Sequence, residues 1–372
     1  IFTEFDGKKD TRLLEGPLPF FLYEGSSGSI ATNHGLPRFS ENTFDAAYPF
    51  GQVNLKTRQI PLDVKIKSFN PLIPADIDNS SIPIAVLDFV LTNTSDKEIS
   101  FSICGTMQNF IGEDGTEGKA KDNKNTYRED PGIRGIFFTT DGVDSSYDQW
   151  GNMALVTTSE GAVSYRTGWL PQGWGSSILD FWDDFTEDGI LNYRQNDMKG
   201  APMSSLAEGT VTPATSKPMA SLAVGDKIPA GGTRTIRFLL TWYFPNRTAW
   251  STETLKNYYT TQYADAWDVV LKTLPALPGL EKRTTEFVDN FCKSDLPEEV
   301  IEAALFNIST LRTQTCFRLD DGNFFVWEGC NDRSGCCFGS CTHVWNYETA
   351  TAFLFGDLAR TMREVEFGLA TN

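Results

Sequence analysis

The feature that most constrains the fold is a change in hydrophobic periodicity near Trp250. Before that point, short runs rich in β-branched and aromatic residues alternate with clusters of Gly, Asp, Asn and Pro. In residues 82–110 an apolar run, the turn cluster TNTSDKE and the alternating segment ISFSIC predict a β-hairpin. Further runs of this kind are GIFFTT (135–140), NMALVTTS (152–159), AVSYRT (162–167) and TRTIRFLLTWYF (233–244). Together they predict a large two-sheet antiparallel β-sandwich.

After Trp250 the apolar residues follow helical spacing instead. A first helix is predicted over residues 252–274, where the apolar positions are Leu255, Tyr258, Tyr259, Tyr263, Trp267, Val270 and Leu271. The segment LPALPGL breaks this helix, and a second helix begins after it. Asp295 and Glu298, with Pro297 between them, form a capping box that predicts the start of a third helix. We therefore expect a β-sandwich domain over residues 1–248 and a helical region over 249–372, in line with the chain's length.

The acidic composition excludes one class of partner. The formal net charge is −17 at pH 7, and a surface of that sign repels the phosphates of nucleic acids. No apolar run approaches the roughly 20 residues that a membrane-spanning helix needs. The acidic run FWDDFTEDG (181–189) lacks the ligand spacing of an EF-hand, so we interpret it as a solvated loop rather than a calcium-binding turn. No feature predicts the oligomeric state.

Two features favour export, to the periplasm or outside the cell, over a cytoplasmic location. The chain opens at Ile1 rather than methionine, as a chain does after removal of an upstream segment. Asn-X-Ser/Thr sequences, a common pattern, begin at Asn79, Asn93, Asn246 and Asn307. The seven cysteines are an odd number, so at least one thiol has no partner within the chain. These features leave the compartment open.

Residues 324–348 concentrate the reactive side chains of the chain. This stretch holds one of the two histidines and four of the seven cysteines, which are Cys330, Cys336, Cys337 and Cys341. Structural zinc needs tetrahedral ligands, and the adjacent pair at 336 and 337 suits that geometry poorly, so we expect no metal here. A disulfide within the loop or to Cys316, or small buried thiols in a glycine-rich loop, are the alternatives.

The same stretch contains the candidate site residues. Glu328 follows an apolar run and precedes Gly329, and apolar surroundings raise the pKa of a carboxyl group in a way that suits catalysis. The competing interpretation is an ordinary surface glutamate at the end of a strand. His343 comes directly after the cysteine-rich loop, and it is either a site residue or a structural hydrogen-bonding group. Glu348 lies within the predicted fourth helix, and we interpret it as a structural ion-pairing residue.

Several longer segments resemble glycoside hydrolase family 116, which contains the non-lysosomal glucosylceramidases and bacterial β-glucosidase and β-xylosidase relatives. The segments are AAYPFGQVNL, PLIPADIDNSSIPIAVLDFVLTNTS, LLTWYFPNR and CFRLDDGNFFVWEGCNDRSGCCFGSCTHVWNYETA, and they occur in the expected order. The resemblance runs from about Phe20 to the end of the chain. It implies an N-terminal β-sandwich packed on a C-terminal (α/α)6 barrel, of which only the first helices correspond to these residues.

The resemblance also implies a retaining β-glycosidase that acts on a β-glucoside or β-xyloside without a cofactor. Glu328 matches the family's nucleophile, a glutamate followed by glycine, whereas no residue of this chain corresponds to the family's acid/base aspartate. Trp327 and Trp345 are then expected to stack on sugar rings, and His343 to hydrogen-bond a hydroxyl. Other branches of the family carry a sugar-binding aspartate where this chain has the cysteine-rich loop, which leaves the sugar undetermined. The alternative function is a carbohydrate-binding or scaffolding sandwich without catalysis.

Overall fold

The computed structural model describes residues 1–23, 35–115, 118–170, 176–192, 217–248, 253–313, 315–326 and 349–369. The strands of these residues, in chain order, are β1 (Phe2–Phe5), β2 (Lys8–Thr11), β3 (Glu41–Ala47), β4 (Phe50–Lys56), β5 (Leu62–Phe69), β6 (Ile84–Asn93), β7 (Ile99–Gln108), β8 (Asn123–Asp130), β9 (Ile133–Thr140), β10 (Asn152–Thr157), β11 (Ala162–Arg166), β12 (Met219–Ile228), β13 (Thr233–Tyr243), β14 (Asn246–Thr248), β15 (Thr254–Lys256), β16 (Cys316–Arg318) and β17 (Phe324–Val326). The helices are α1 (Ile77–Ser80), α2 (Ser176–Asp188), α3 (Ala266–Thr273), α4 (Leu277–Cys292), α5 (Glu298–Asn307), α6 (Thr349–Leu354) and α7 (Gly356–Leu369).

Two large antiparallel sheets are present, as the sequence predicts. One has the order β11-β12-β7-β1-β2, and the other has the order β3-β4-β5-β6-β13-β10-β9-β8. Apolar side chains of both sheets meet in one core, in which Ile103 and Leu222 of the smaller sheet join Leu91, Leu155 and Phe238 of the larger one. The two sheets therefore pack face to face, which is the arrangement of a β-sandwich.

The larger sheet is buried on its outer face as well. Ile84, Val86 and Leu239 point away from the sandwich core and form a second core with Trp267 and Val270 of α3. Because both faces of β6, β10 and β13 are covered, these strands are largely apolar, and the charged Asp88 of β6 and Arg237 of β13 form an ion pair with each other. The first helix of the helical region is thus packed on the sandwich.

The predicted hairpin over residues 82–110 is wrong, although both of its strands exist. β6 pairs with β5 and β13, whereas β7 pairs with β1 and β12 in the other sheet. The turn cluster therefore crosses between the sheets. Asn93, 1% exposed, holds the crossing because its side-chain amide donates to the carbonyl groups of Lys97, Ile228 and Pro229 at 2.7, 3.2 and 3.1 Å. A short-range pattern identifies strands but cannot choose their partners, since hairpins and crossings use the same turn residues.

Two of the four Asn-X-Ser/Thr sequences begin at asparagines that the fold itself uses. The amide of Asn93 makes the contacts described above, and the amide of Asn246 donates to the carbonyl groups of Ser145 and Tyr147 at 2.7 and 2.8 Å. Both asparagines are buried. Because N-linked glycans sit on the surface of a protein, these two positions act as structural hydrogen-bond donors.

The acidic run at 181–189 is also not a solvated loop. It forms most of α2, whose residues Phe181 and Phe185 pack on Ala223 and Phe2 at the outer face of the smaller sheet. Arg166 of that sheet forms ion pairs with Asp180 and Asp184 at 2.8 and 2.5 Å. The four-residue spacing of the two phenylalanines is a helical signal, but it is short and lies among acidic residues.

The helices after Trp250 differ from the prediction in their starts and ends. The predicted first helix begins only at Ala266, where the side chain of Asp265 accepts a hydrogen bond from the amide of Asp268 at 2.7 Å. The residues before it form β15 and a short 3-10 helix. The capping box at 295–298 does not form, since Pro297 is the N-cap residue of α5 and makes no side-chain cap. The leucine and tyrosine residues before Ala266 are spaced as in a helix because they are partly buried against neighbours on several sides.

The connections that concern the candidate site lie at one end of the sandwich, which we call the loop end. β5, β7, β9 and β13 end there, and β6, β8 and β10 begin there. Asn109, the residue after β7, fixes this end by donating to the carbonyl groups of Lys124 and Thr139 at 3.2 and 2.9 Å. No helix within the described ranges is long and apolar enough to cross a membrane.

The packing of the sandwich core can be tested at Phe238. Its side chain is 1% exposed and contacts the ring of Phe89 edge to face, with 5.7 Å between ring centroids. We expect Phe238→Ala to lower the free energy of unfolding by about 3–5 kcal/mol, because it leaves a cavity between the sheets. Urea titration followed by far-UV circular dichroism measures this change. Phe44→Ala on the edge strand β3 is the control, since Phe44 is 68% exposed and the change is expected to be below about 1 kcal/mol.

Asp184 gives a pH-dependent prediction. Burial raises the pKa of Asp184, but hydrogen bonds from Asn192 and the charge of Arg166 outweigh burial and hold the pKa below its ordinary value of 3.8. A carboxyl group whose pKa is lowered by folding stabilises the protein above its unfolded-state pKa, and this stabilisation is lost as the pH falls through the folded-state pKa. We expect Asp184→Asn to destabilise the protein strongly at pH 7 and the difference from the wild type to shrink below about pH 4.

Urea titrations at several pH values measure this difference. Asp183→Asn is the matched control, because Asp183 neighbours Asp184 on α2 but is exposed. A difference between wild type and Asp184→Asn that stays constant from pH 7 to pH 3 contradicts the role assigned to the ion pair.

Candidate active site

The predicted nucleophile is connected to a short hairpin that the structure describes up to Val326. β16 and β17 pair antiparallel, with Cys316 opposite Val326 and Arg318 opposite Phe324. Trp327, Glu328, His343 and Trp345 lie outside the described residues, as do the four cysteines of the loop, the proposed partners of Cys316, and Glu348. Their roles therefore stay predictions. The structure shows how the strand that leads to Glu328 is built and held.

Local interactions close the hairpin at its turn. Gly322 has a φ of +90°, a conformation that costs other residues energy. The carboxylate of Asp321 accepts a hydrogen bond from the backbone amide of Asn323 at 2.9 Å, as is usual for aspartate in turns. Phe317 and Phe325 stack on one face, with 5.7 Å between ring centroids. The register of the two strands is thereby fixed.

The hairpin is anchored to the helical region by its apolar face. Phe324 and Val326 are buried with Leu305 of α5 and Leu358 of α7 in one core. The backbone amide of Phe324 also donates to the hydroxyl of Thr361 in α7 at 3.3 Å. Phe325 and Val326 are the last two residues of β17 and come directly before Trp327. They therefore belong to a packed element and not to a free loop.

The other side of the hairpin contacts the sandwich through two arginines. The guanidinium of Arg318 lies 3.4 Å from the ring centroid of Tyr258 and forms an ion pair with Asp78 at 2.7 Å. The guanidinium of Arg247, in β14, lies 4.0 Å from the ring centroid of Phe317. Arginine stacks on aromatic rings more readily than lysine because its charge is planar and weakly hydrated. These contacts set the position of the hairpin relative to the loop end.

A cavity of about 230 Å³, which we call the hairpin cavity, lies between these elements. Apolar residues form part of its wall, and three arginines, Arg247, Arg312 and Arg318, also line it. The other lining residues are Leu72, Ile77, Ser80, Ser81, Asn257, Tyr258, Tyr259, Ile308, Leu311, Cys316, Phe317, Phe324, Phe355 and Leu358. The cavity's described lining contains three arginines and no carboxylate, although the whole chain is acidic.

Arg312 holds the wall of this cavity together. Its guanidinium donates to the side chain of Asn70 and to the carbonyl groups of Pro71 and Ser80, the last at 2.9 Å. Burial lowers the pKa of Arg312 and raises the pKa of the nearby Tyr48 hydroxyl. Arg312 thus ties the 3-10 helix before the hairpin to the loop between β5 and β6.

Sequence patterns do not single out these arginines. Their contacts join residues far apart in the chain, more than 200 positions apart for Arg312 with Pro71 and Arg318 with Asp78, and periodicity carries no information about such pairs. The segment STLRTQTCFRL is mostly polar, so neither of its arginines stands out in the sequence as a buried charge.

With this geometry in place, the chain can be compared with known proteins. A family model described as "beta-glucosidase 2, glycosyl-hydrolase family 116 N-term" matches residues 2–278. The chain belongs to glycosyl-hydrolase family 116. The family match covers the sandwich, α3 and the start of α4, so the carbohydrate-active class expected from the sequence is confirmed at that level. A search of curated proteins finds no match.

Among solved structures, a human-microbiome protein provisionally described as a kojibiose phosphorylase is similar to this family 116 chain. The two share 11% identity with a TM-score of 0.35, and the match covers 78% of this chain and 27% of the other. The chain therefore spans about a quarter of the length of that relative. At this level of similarity the match carries no argument about chemistry.

No metal site is visible in the part of the chain that the structure describes. Within it, no group of three or more His, Cys, Asp or Glu side chains is placed to hold an ion. The cysteine-rich loop lies outside that part, so the expectation that it binds no metal stays a prediction.

The contacts that hold the wall of the hairpin cavity can be tested at Arg312. We expect Arg312→Met to lower the free energy of unfolding by about 2–4 kcal/mol, because it leaves the carbonyl groups of Pro71 and Ser80 without a donor. Urea unfolding measures the change. Arg360→Met is the control, since Arg360 is exposed and, among the described residues, forms ion pairs with Asp357 and Glu364 on its own helix, and such pairs contribute about 0.5 kcal/mol or less. Equal effects of the two substitutions would contradict the anchoring role of Arg312.

Proposed function

We propose that this chain forms the sandwich and the first barrel helices of a retaining β-glycosidase of the β-glucosidase or β-xylosidase type. The observation that carries the proposal is the family 116 match over residues 2–278. In the proposal, α4 to α7 are the first helices of an (α/α)6 barrel, and Glu328 is the catalytic nucleophile. The glutamate-glycine pair at 328–329 follows directly on the anchored hairpin.

Glu328 attacks the anomeric carbon in this mechanism. The bond from that carbon to the leaving-group oxygen breaks, and a covalent glycosyl-enzyme forms, which water then hydrolyses. A second carboxyl group, about 5–5.5 Å from the nucleophile, protonates the leaving group and later activates the water. The family supplies it from an aspartate to which no residue of this chain corresponds. Trp327 and Trp345 stack on the sugar, and His343 hydrogen-bonds a hydroxyl.

The anchoring of the hairpin supports the role of Glu328. A nucleophile contributes most when its backbone is held before the substrate binds, because misplacement by about 1 Å costs orders of magnitude in rate. Val326 is 1% exposed, and Arg318 clamps the neighbouring strand to Asp78 and Tyr258. The strand that leads to Glu328 is therefore held on both sides.

The competing function is a carbohydrate-binding or scaffolding sandwich. It is favoured by the position of the family match, which lies almost wholly on the sandwich and ends before β16 and β17. A test of covalent chemistry at Glu328 separates the two functions, because a binding module forms no covalent bond with a sugar.

The test uses the native enzyme and 2,4-dinitrophenyl 2-deoxy-2-fluoro-β-glucoside. Its leaving group departs without protonation, so labelling depends on the nucleophile and not on the acid/base residue. We expect intact mass spectrometry to show one added fluoroglucosyl group on the wild type and none on Glu328→Gln. Turnover of aryl glucosides by Glu328→Gln is expected to fall by several orders of magnitude.

Glu348→Gln is the control and is expected to keep most of the labelling. Thermal unfolding of both variants checks that the fold is intact. If Glu328→Gln is labelled and Glu348→Gln is not, the nucleophile is Glu348. If neither the wild type nor any variant is labelled, the binding function is favoured.

A further inference from the structure

A second cavity at the loop end has the features of a saccharide-binding groove. It has a volume of about 560 Å³ and lies between the β7–β8 loop, the β9–β10 loop and β14. Small-molecule sites in proteins usually have volumes of about 300–1,000 Å³. Arg247 and Asn257 line both this cavity and the hairpin cavity, so the two lie side by side. We call the second cavity the loop-end groove.

The wall of the loop-end groove combines apolar and polar surface, and its polar side chains are held in place. Asp114 accepts a hydrogen bond from the amide of Gln149 at 2.9 Å. Glu113 accepts one from the ammonium group of Lys217 at 2.8 Å. Asn257 also lines the groove, and its amide donates to the carbonyl of Phe244 at 2.8 Å. The wall is therefore largely preformed, which lowers the entropy lost when a ligand binds.

Two residues of the groove offer contacts to a ligand. Asp148 is half-buried, and within the described residues its carboxylate makes no hydrogen bond and no ion pair, so it can accept from a ligand hydroxyl. Phe110 is an aromatic residue that is 42% exposed at the same groove. A hydroxyl acceptor beside an accessible aromatic ring suits a sugar, which has hydroxyl groups at its rim and an apolar face of C–H groups.

Other ligand classes fit less well. Arg247 lines the groove, but the three carboxylates of the same wall, Glu113, Asp114 and Asp148, outnumber it and repel a phosphate or a carboxylate ligand. An acyl chain would remove water from these carboxylates without replacing their hydrogen bonds, which is costly. A metal is disfavoured too, since no cluster of three potential ligands occurs among the described residues. An uncharged polyhydroxyl ligand satisfies the wall without either penalty.

We propose that the loop-end groove binds a sugar unit of the substrate beyond the one that is cleaved, so that the substrate is an oligosaccharide and not a glycolipid. The assignment of this sugar to the substrate rests on the proposed function. The binding itself does not, because it requires only the groove and its position beside the hairpin cavity.

The experiment measures binding without hydrolysis. Isothermal titration calorimetry of cellotriose and of xylotriose is performed on the Glu328→Gln variant of the full chain, and saturation-transfer NMR repeats the comparison. We expect Asp148→Ala and Phe110→Ala each to raise the Kd of the tighter of the two saccharides by about tenfold, as loss of a charged hydrogen bond or an aromatic contact does. 1-Octanol, an uncharged probe for an alkyl chain, is expected not to compete.

Glu160→Ala and Phe44→Ala are the matched controls, because both residues are exposed and do not line the groove. They are expected to leave the Kd within twofold. Asp148→Asn, which removes the charge, and Phe110→Leu, which removes the ring, replace the alanine variants should either of those fail to fold. Unchanged affinity in the groove variants, absence of saccharide binding, or displacement by 1-octanol would each overturn the proposal. Binding that depends on the groove, together with failure of the labelling experiment, overturns only the proposed function.

Discussion

The rest of the structure depends on the burial of both faces of the eight-stranded sheet. Its inner face packs on the five-stranded sheet, and its outer face packs on Trp267 and Val270 of α3. Burial of apolar area stabilises a protein by roughly 25 cal/mol per Å², so a sheet covered on one face only would expose a large apolar surface. Because α3 is part of that cover, the chain that follows it is attached to the loop end.

Directional contacts then determine where the attached helices lie. Arg237 of β13 binds Asp88 through two oxygens, at 2.6 and 2.5 Å, and also Glu281 of α4 at 3.1 Å. Arg312 and Arg318 make further contacts of this kind beside the hairpin. Apolar contacts tolerate sliding, whereas the planar guanidinium group fixes distance and angle together. The apolar cores provide most of the stability, and the arginine contacts determine where the attached helices lie.

The two cavities at the loop end differ in chemistry although they share a wall. Arginines and apolar residues line the hairpin cavity, while Asp114, Asp148 and amide groups line the groove. Arg247 belongs to both and stacks on Phe317 of the hairpin. A ligand in the groove is therefore adjacent to the element that leads to Glu328. Under the proposed function, contacts of the substrate in the groove would orient its reacting bond toward Glu328, because remote contacts with a substrate can align that bond.

The sequence by itself determined most of the strands, the two large antiparallel sheets and the family, because periodicity records which side of each segment is buried and the motifs record shared ancestry. It did not determine that β6 and β7 belong to different sheets, that Phe181 and Phe185 lie on a helix, or that α3 begins only at Ala266. The role proposed for Glu328 rests on its motif alone, whereas the groove with Asp148 and Phe110 is formed by loops distant in the chain. Strand partners, helix starts and cavities depend on what lies across from each segment, and only the tertiary structure contains that information.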